Sequence, residues 1–216
     1  GPGISSGGVP VTIGFNAITK SGTPHPSDRK VKWTVTVDTM EQVIPDLKIY
    51  DLLVYGNQDI NLASVAGIPA GVDPYDLVPR YGQKYDGNFS SSPGLTITVH
   101  PVTDGGTPVA DLVEVSGFDH LNPNTFSFDT LILDPDVFAS NTTKTVLNTA
   151  MLFSDDKKLN QATASVDYTS SLLGKEMLRR TATGNPAAGV NDERTSHAAE
   201  GFNYVDKSVI FRINVN

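Results

Sequence analysis

The stretch Lys30-Val31-Lys32-Trp33-Thr34-Val35-Thr36-Val37-Asp38 alternates strictly between apolar and polar residues. Val31, Trp33, Val35 and Val37 fall on one face, and Lys32, Thr34, Thr36 and Asp38 on the other. Successive side chains of an extended chain point to opposite sides, so this period suits a strand with one buried face. A helix would scatter the same residues around its axis. Further strand signals follow at Leu47–Val54, Leu95–Val99, Thr125–Leu133, Thr145–Phe153, Ala162–Tyr168 and Ser208–Val215. No long stretch has a helical apolar period. Between the runs, Gly and Pro (19 and 14 residues) gather with Thr, Ser, Asn and Asp, the chemistry of turns. The fold class expected is all-β, an immunoglobulin-like Greek-key sandwich. Residues 56–94 lack pattern and read as an irregular insertion that short helices can decorate. Asp134–Ser140 reads as one helical turn, and Asp104-Gly105-Gly106-Thr107-Pro108 as a hairpin turn.

The net charge of −8 argues against nucleic acid, which needs clustered Lys and Arg, and against an anionic membrane surface. With no cysteine, neither a disulfide framework nor a thiolate metal site is available. No apolar run approaches membrane-spanning length. Gly1-Pro2-Gly3 reads as a protease-cleavage scar, and any export signal or anchor is expected outside these residues. His25, His100, His120 and His197 share no ligand-like spacing. Asp134-Pro135-Asp136, Asp155-Asp156 and Asp192-Glu193 lack the EF-hand pattern and read as solvated turns. No cofactor and no metal are expected.

One segment echoes another. Ser27–Asp38 aligns with Val205–Asn216, with the aromatic, the alternating aliphatics and the closing Asp/Asn in step. Lys20 and Lys175 lie upstream of the two segments. The organisation expected is a module over residues 4–172, followed at 173–216 by the start of a further repeat or a C-terminal strand extension. The terminal strand, with Val209, Phe211, Ile213 and Val215 on one face, needs a partner. That partner is expected to be the edge of the first module, with another copy of the chain as the alternative.

Several strand motifs resemble the repeating domains of Gram-positive collagen-adhesin-type surface proteins, including isopeptide-forming fimbrial modules. These motifs are Trp33-Thr34-Val35-Thr36-Val37, Ile49-Tyr50-Asp51-Leu52-Leu53, Val146-Leu147-Asn148-Thr149-Ala150, Ala162-Thr163-Ala164-Ser165-Val166 and Ser171-Leu172-Leu173-Gly174-Lys175. The resemblance runs from about Ile13 to Lys175 and leaves residues 56–124 unmatched. It implies a spontaneous amide between Lys20 and Asn148, promoted by Asp51. The family usually carries Asp-Thr-Leu-Pro after the middle strand, whereas here Asp51 is followed by Leu52-Leu53-Val54.

The residue pattern bears on the same trio. Alternation puts Asp51 with Ile49 and Leu53, Asn148 with Val146, Ala150 and Leu152, and Lys20 with Ile18, so all three point toward a core. Unpaired polar groups are costly there. Burial disfavours charge on both ionisable partners, so a neutral amine can coexist with a protonated carboxyl. Such an amine is a nucleophile toward the carboxamide. The alternatives are ordinary: an exposed Lys20 near a turn, an Asp51 that caps a turn, and an Asn148 that satisfies backbone groups.

The function expected is a structural spacer in an extracellular, cell-wall-anchored adhesin or pilus-type protein. Its partners would be neighbouring repeats, with no nucleic acid and no membrane insertion, and it would not be an enzyme with a separate substrate. The alternative is a binding module for a host matrix protein such as collagen, or a glycan, using Tyr75, Tyr81, Tyr85 and Phe89 within 56–124. A core-packing role for these aromatics is the competing explanation.

Overall fold

A computed structural model of the chain describes residues 17–56, 68–72, 80–138, 143–169, 173–178, 194–195, 202–203 and 208–215. The chain divides into two compact units. The first holds residues 1–137 and 143–168, and the second holds 138–142 and 169–216.

In the first unit, β1 (Ile18–His25), β2 (Lys30–Val37), β8 (Asn124–Ile132) and β4 (Gln83–Tyr85) form one sheet in that order, with β5 (Ser90–Ser91) also paired to β8. The second sheet runs β10 (Lys157–Thr169), β9 (Thr143–Ser154), β3 (Leu47–Val54), β7 (Thr107–Ser116), β6 (Thr96–Asp104). β2 and β3 follow each other in the chain yet lie in opposite sheets. β8 returns beside β2, and β9 then crosses back to β3. This is the Greek-key crossing of an immunoglobulin-like sandwich, with the β6–β7 hairpin added to one sheet. The turn at Gly105 and Gly106 has both residues at positive φ, as a tight hairpin needs.

The alternation read in the sequence becomes burial. Val31, Trp33, Val35 and Val37 of β2 are fully enclosed, and Phe126 and Phe128 of β8 join them. Trp33 and Phe128 are cross-strand partners, and so are Val35 and Phe126. Gly22 of β1 pairs with Trp33. A Cβ at Gly22 would stand 2.5 Å from Trp33 Cζ3 and 2.6 Å from Val166 Cγ1. Glycine is what lets the indole lie against the edge strand.

The second sheet is covered on both faces. Tyr50, Leu52, Val54, Ala110, Leu112, Val102, Met151 and Phe153 form an apolar cluster that Val72 of the long β3–β4 connection completes, with Ile68 and Val109 packed against it. This explains why β3 is buried nearly end to end. It also explains why β7 gives little period-two signal: its two faces are both interior. The described part of the 56–94 insertion therefore includes a cover over this sheet and the short strands β4 and β5. The expected turn at Asp134–Ser140 is a 3₁₀ turn at Pro135–Val137.

Polar straps join the two sheets. Tyr168 of β10 donates its phenol hydrogen to the Lys30 carbonyl and accepts from the His25 amide at 3.3 Å. Asp111 of β7 accepts from Tyr55 Oη at 2.6 Å and from the Tyr85 amide at 3.0 Å. Burial and the Asp111 carboxylate both hold the Tyr55 phenol well above its usual pKa.

In the second unit, β11 (Leu173–Leu178) and β14 (Ser208–Val215) pair antiparallel, flanked by β12 (Arg194–Thr195) and β13 (Phe202–Asn203). The terminal strand was expected on the edge of the first module. Its partner is instead β11, with Leu173 opposite Val215 and Leu178 opposite Ile210. Antiparallel pairing with β11 gives this strand the backbone hydrogen bonds that an isolated strand lacks.

Candidate functional site

The site lies between the sheets, where β1, β3 and β9 each contribute one polar side chain. Lys20 enters from β1, an edge strand whose backbone is partly exposed. Its side chain is nevertheless fully enclosed, at 0% exposure beside 1% for Asp51. Asn148 is also buried. Each residue occupies an inward position of its strand, so the same alternation that builds the core places all three inside it.

Asp51 is the hub. Lys20 Nζ donates to Asp51 Oδ2 at 2.9 Å, and Asn148 Nδ2 donates to Asp51 Oδ1 at 2.9 Å. The amine and the carboxamide thus sit on the two oxygens of one carboxylate. Asn148 Oδ1 has no hydrogen-bond partner among the described residues, an arrangement that costs about 1–3 kcal/mol. Aromatic faces wall the amine: Lys20 Nζ lies 5.4 Å from the Trp33 ring centroid and 5.6 Å from that of Phe128. Burial pushes the Lys20 ammonium below its ordinary pKa of 10.5, against the opposing pull of Asp51.

A second polar group adjoins the trio. Gln83 Oε1 accepts from Trp33 Nε1 at 3.1 Å and from Thr130 Oγ1 at 2.9 Å. Trp33 Nε1 also donates to Thr130 Oγ1 at 2.9 Å. Gln83 Nε2 donates to the Leu147 carbonyl at 2.8 Å, reaching β9 next to Asn148. A cavity of ≈ 20 Å³ lies here, lined by Gln83, Asn148, Leu147, Arg80 and Tyr81 among others. That is room for about one water-sized molecule. Nothing in the sequence pattern singled out Gln83, because it lies within the unpatterned insertion on a three-residue strand.

The aromatics considered for ligand binding are placed as follows. Tyr85 packs on Phe128 with centroids 5.9 Å apart, and Phe89 on Phe126 at 6.2 Å. Both are half-buried and extend the interior cluster. Tyr81 is half-buried beside the small cavity. Tyr75 lies outside the described residues. Of the acidic pairs, Asp155-Asp156 makes the β9–β10 turn and Asp134-Pro135-Asp136 opens the 3₁₀ turn, while Asp192-Glu193 lies outside the described residues. Among the described residues, no cluster of three or more His, Asp or Glu side chains is placed to hold a metal ion.

The fold and site define a two-sheet, all-β sandwich with an enclosed Lys–Asp–Asn constellation bridging its sheets. No protein-family model and no curated protein matches the chain. Solved structures similar to it include a collagen-binding domain from a Staphylococcus aureus adhesin, at 13% identity over 71% of this chain and 97% of that one, with a TM-score of 0.32. The collagen-binding subdomain of the Enterococcus faecalis surface protein ACE is similar at 8% identity over 71% and 99%, with a TM-score of 0.35. A Streptococcus suis SadP mutant is similar at 11% identity over 71% and 86%, with a TM-score of 0.31.

Proposed function

We propose that the protein is a structural spacer module of a cell-wall-anchored, Gram-positive surface adhesin or pilus-type protein, stiffened by an amide bond that forms spontaneously between Lys20 and Asn148. The observation that carries this reading is the placement of the amine and the carboxamide on opposite oxygens of the buried Asp51 carboxylate, each at 2.9 Å. The strand motifs that resemble collagen-adhesin-type repeats support it.

The chemistry follows from the geometry. A proton passes from the Lys20 ammonium to Asp51 along their hydrogen bond, leaving a neutral amine and a neutral carboxyl where charge is disfavoured. Half a turn of the Asn148 carboxamide exchanges Nδ2 for the unpartnered Oδ1, which then accepts from the Asp51 acid. Lys20 Nζ attacks Asn148 Cγ, and the acid stabilises the negative charge developing on Oδ1. The Nζ–Cγ bond forms and the Cγ–Nδ2 bond breaks. One amine hydrogen passes through Asp51 to the leaving nitrogen, which departs as ammonia. The cavity beside Asn148 is large enough to receive it. Holding both reactants in one core supplies the effective concentration for a single turnover.

The second unit supports a repeat. Lys20 pairs with Val35 across β1–β2, and Lys175 pairs with Ile213 across β11–β14. Val35 and Ile213 are equivalent positions of the sequence echo. Ile18 opposite Val37 and Leu173 opposite Val215 keep the same register. We read β11 and β14 as the opening strand pair of a following module, so the partners of this module are its neighbours in the same polypeptide.

Intact mass tests the reading. The protein should weigh one ammonia less than its sequence, and Lys20→Ala, Asp51→Ala and Asn148→Ala should each restore the full mass. A wild-type mass equal to the sequence mass would overturn it.

A further inference from the structure

The geometry points to Gln83 as a positioning residue for the cross-link, one that sets the Lys20 wall and the Asn148 backbone from a single side chain. This rests on the reading that Lys20 and Asn148 become joined.

Gln83 is 5% exposed and Thr130 and Trp33 are fully enclosed, so their hydrogen bonds are made without competition from water. Through Oε1, Gln83 holds Trp33 Nε1 at 3.1 Å, and Thr130 holds the same N–H at 2.9 Å. Two acceptors on one indole N–H fix the rotation of the ring whose face lies 5.4 Å from Lys20 Nζ. Through Nε2, Gln83 crosses to the opposite sheet and holds the Leu147 carbonyl at 2.8 Å.

That second contact matters because of where β9 is supported. Its pairing with β3 covers Leu47↔Ser154 to Tyr50↔Met151 and goes no further toward Leu147. On its β3 side the chain at Asn148 therefore lies beyond the ladder, with β10 as its neighbour on the other side only. The Gln83 amide supplies a fixed point one residue away from the electrophile. Gln83 itself is anchored by the pairing of Gln83 with Ile132 on β8, and Tyr85, two residues on, is tied to Asp111. β4 is thus a short crossbar tied to the opposite sheet through both Gln83 and Tyr85. A misplacement of about 1 Å between reacting groups can slow a reaction on the order of a hundredfold, so this crossbar controls how often the amine meets the carboxamide.

The test follows bond formation in time. Full-length chain made by cell-free translation is quenched at intervals, and the fraction lacking one ammonia is read by intact mass. Two variants are compared with wild type: Gln83→Met, which keeps length and loses both polar ends, and Gln83→Asn, which draws the amide back by one methylene. Burial of Trp33, read by its fluorescence, shows which variants are folded, and a single folded one suffices. Thr130→Val removes one indole partner but leaves the Leu147 contact. The expected result is a cross-linking half-time at least tenfold longer for the Gln83 variants and a smaller delay for Thr130→Val. Val115→Ala, a buried change at the strand partner of Ile49 that removes none of the polar contacts named above, controls for lost stability, with melting compared in a Lys20→Met background where no bond can form. Gln83 variants that react within twofold of wild type, or no slower than an equally destabilised Val115→Ala, would overturn the assignment. So would Gln83 variants that never acquire a folded core, since Gln83 would then be structural alone. A wild type that never loses ammonia would instead overturn the cross-link on which the assignment rests.

Discussion

Joining Lys20 to Asn148 should raise stability by constraining the unfolded chain, and the structure sets the size of the effect. Lys20 precedes Asp51 by 31 positions and Asp51 precedes Asn148 by 97, so the bond closes a loop of about 128 residues. In the chain-entropy treatment of cross-links, a loop of that size is worth about 5 kcal/mol. For a domain of this size, about 2–4 °C of melting temperature accompany each kcal/mol, which gives roughly 10–20 °C. Truncating Asn148 alone confounds that figure, because it also removes a buried hydrogen bond worth about 1 kcal/mol. A double-mutant cycle separates the two contributions. Lys20→Met and Asn148→Ala each abolish the bond, so the double variant should lose little more than one single variant does. Chemical denaturation of all four proteins, with masses checked first, should give a coupling of about 5 kcal/mol between the two positions. Additive losses, with a coupling under about 1 kcal/mol in a protein whose mass shows the bond, would refute the loop-closure reasoning.

The remaining expectations concern protonation and packing. In Asn148→Ala, Lys20 stays a free buried amine with its pKa held below 10.5 by burial. The folded state then binds fewer protons than the unfolded one, so stability should rise with pH up to about 10.5 and fall as pH drops through the lowered pKa. Tyr168, pushed up to about 12 by burial, opposes this trend once unfolded tyrosines begin to ionise near pH 10. Denaturation midpoints across neutral to alkaline pH should therefore climb and then turn over. The climb should vanish when Lys20→Met is added, and its persistence would assign the trend elsewhere. Gly22→Ala would drive a methyl into Trp33 and Val166 and should cost about 1–3 kcal/mol by overpacking. Thermal melts would detect that loss, and an unchanged melting temperature would show that the indole has room to move.

How far the sequence carried the fold is best seen strand by strand. β2 was legible because one face is wholly interior and the other wet, which leaves a clean alternation from Val31 to Val37. β7 was not, because Asp111, Val113 and Val115 face the interior while Ala110 and Leu112 face a second apolar layer. A strand with two buried faces loses the period that marks strands. The hairpin turn at Gly105-Gly106 was legible because backbone conformation there demands glycine.

The candidate site divides the same way. Strand periodicity alone puts Lys20, Asp51 and Asn148 on inward faces, since parity along a strand is a local property. That they share one carboxylate depends on contacts 31 and 97 residues apart in the chain, and only the stacking of two sheets decides such distances. The same holds for Gln83, whose role comes from reaching Trp33 on a strand of its own sheet and Leu147 on the opposite one. The partner of the terminal strand was likewise open, because an apolar face states that a strand needs a neighbour without stating which. Sequence determined which residues turn inward; the pairing of strands and the closing of the sheets determined which of them meet.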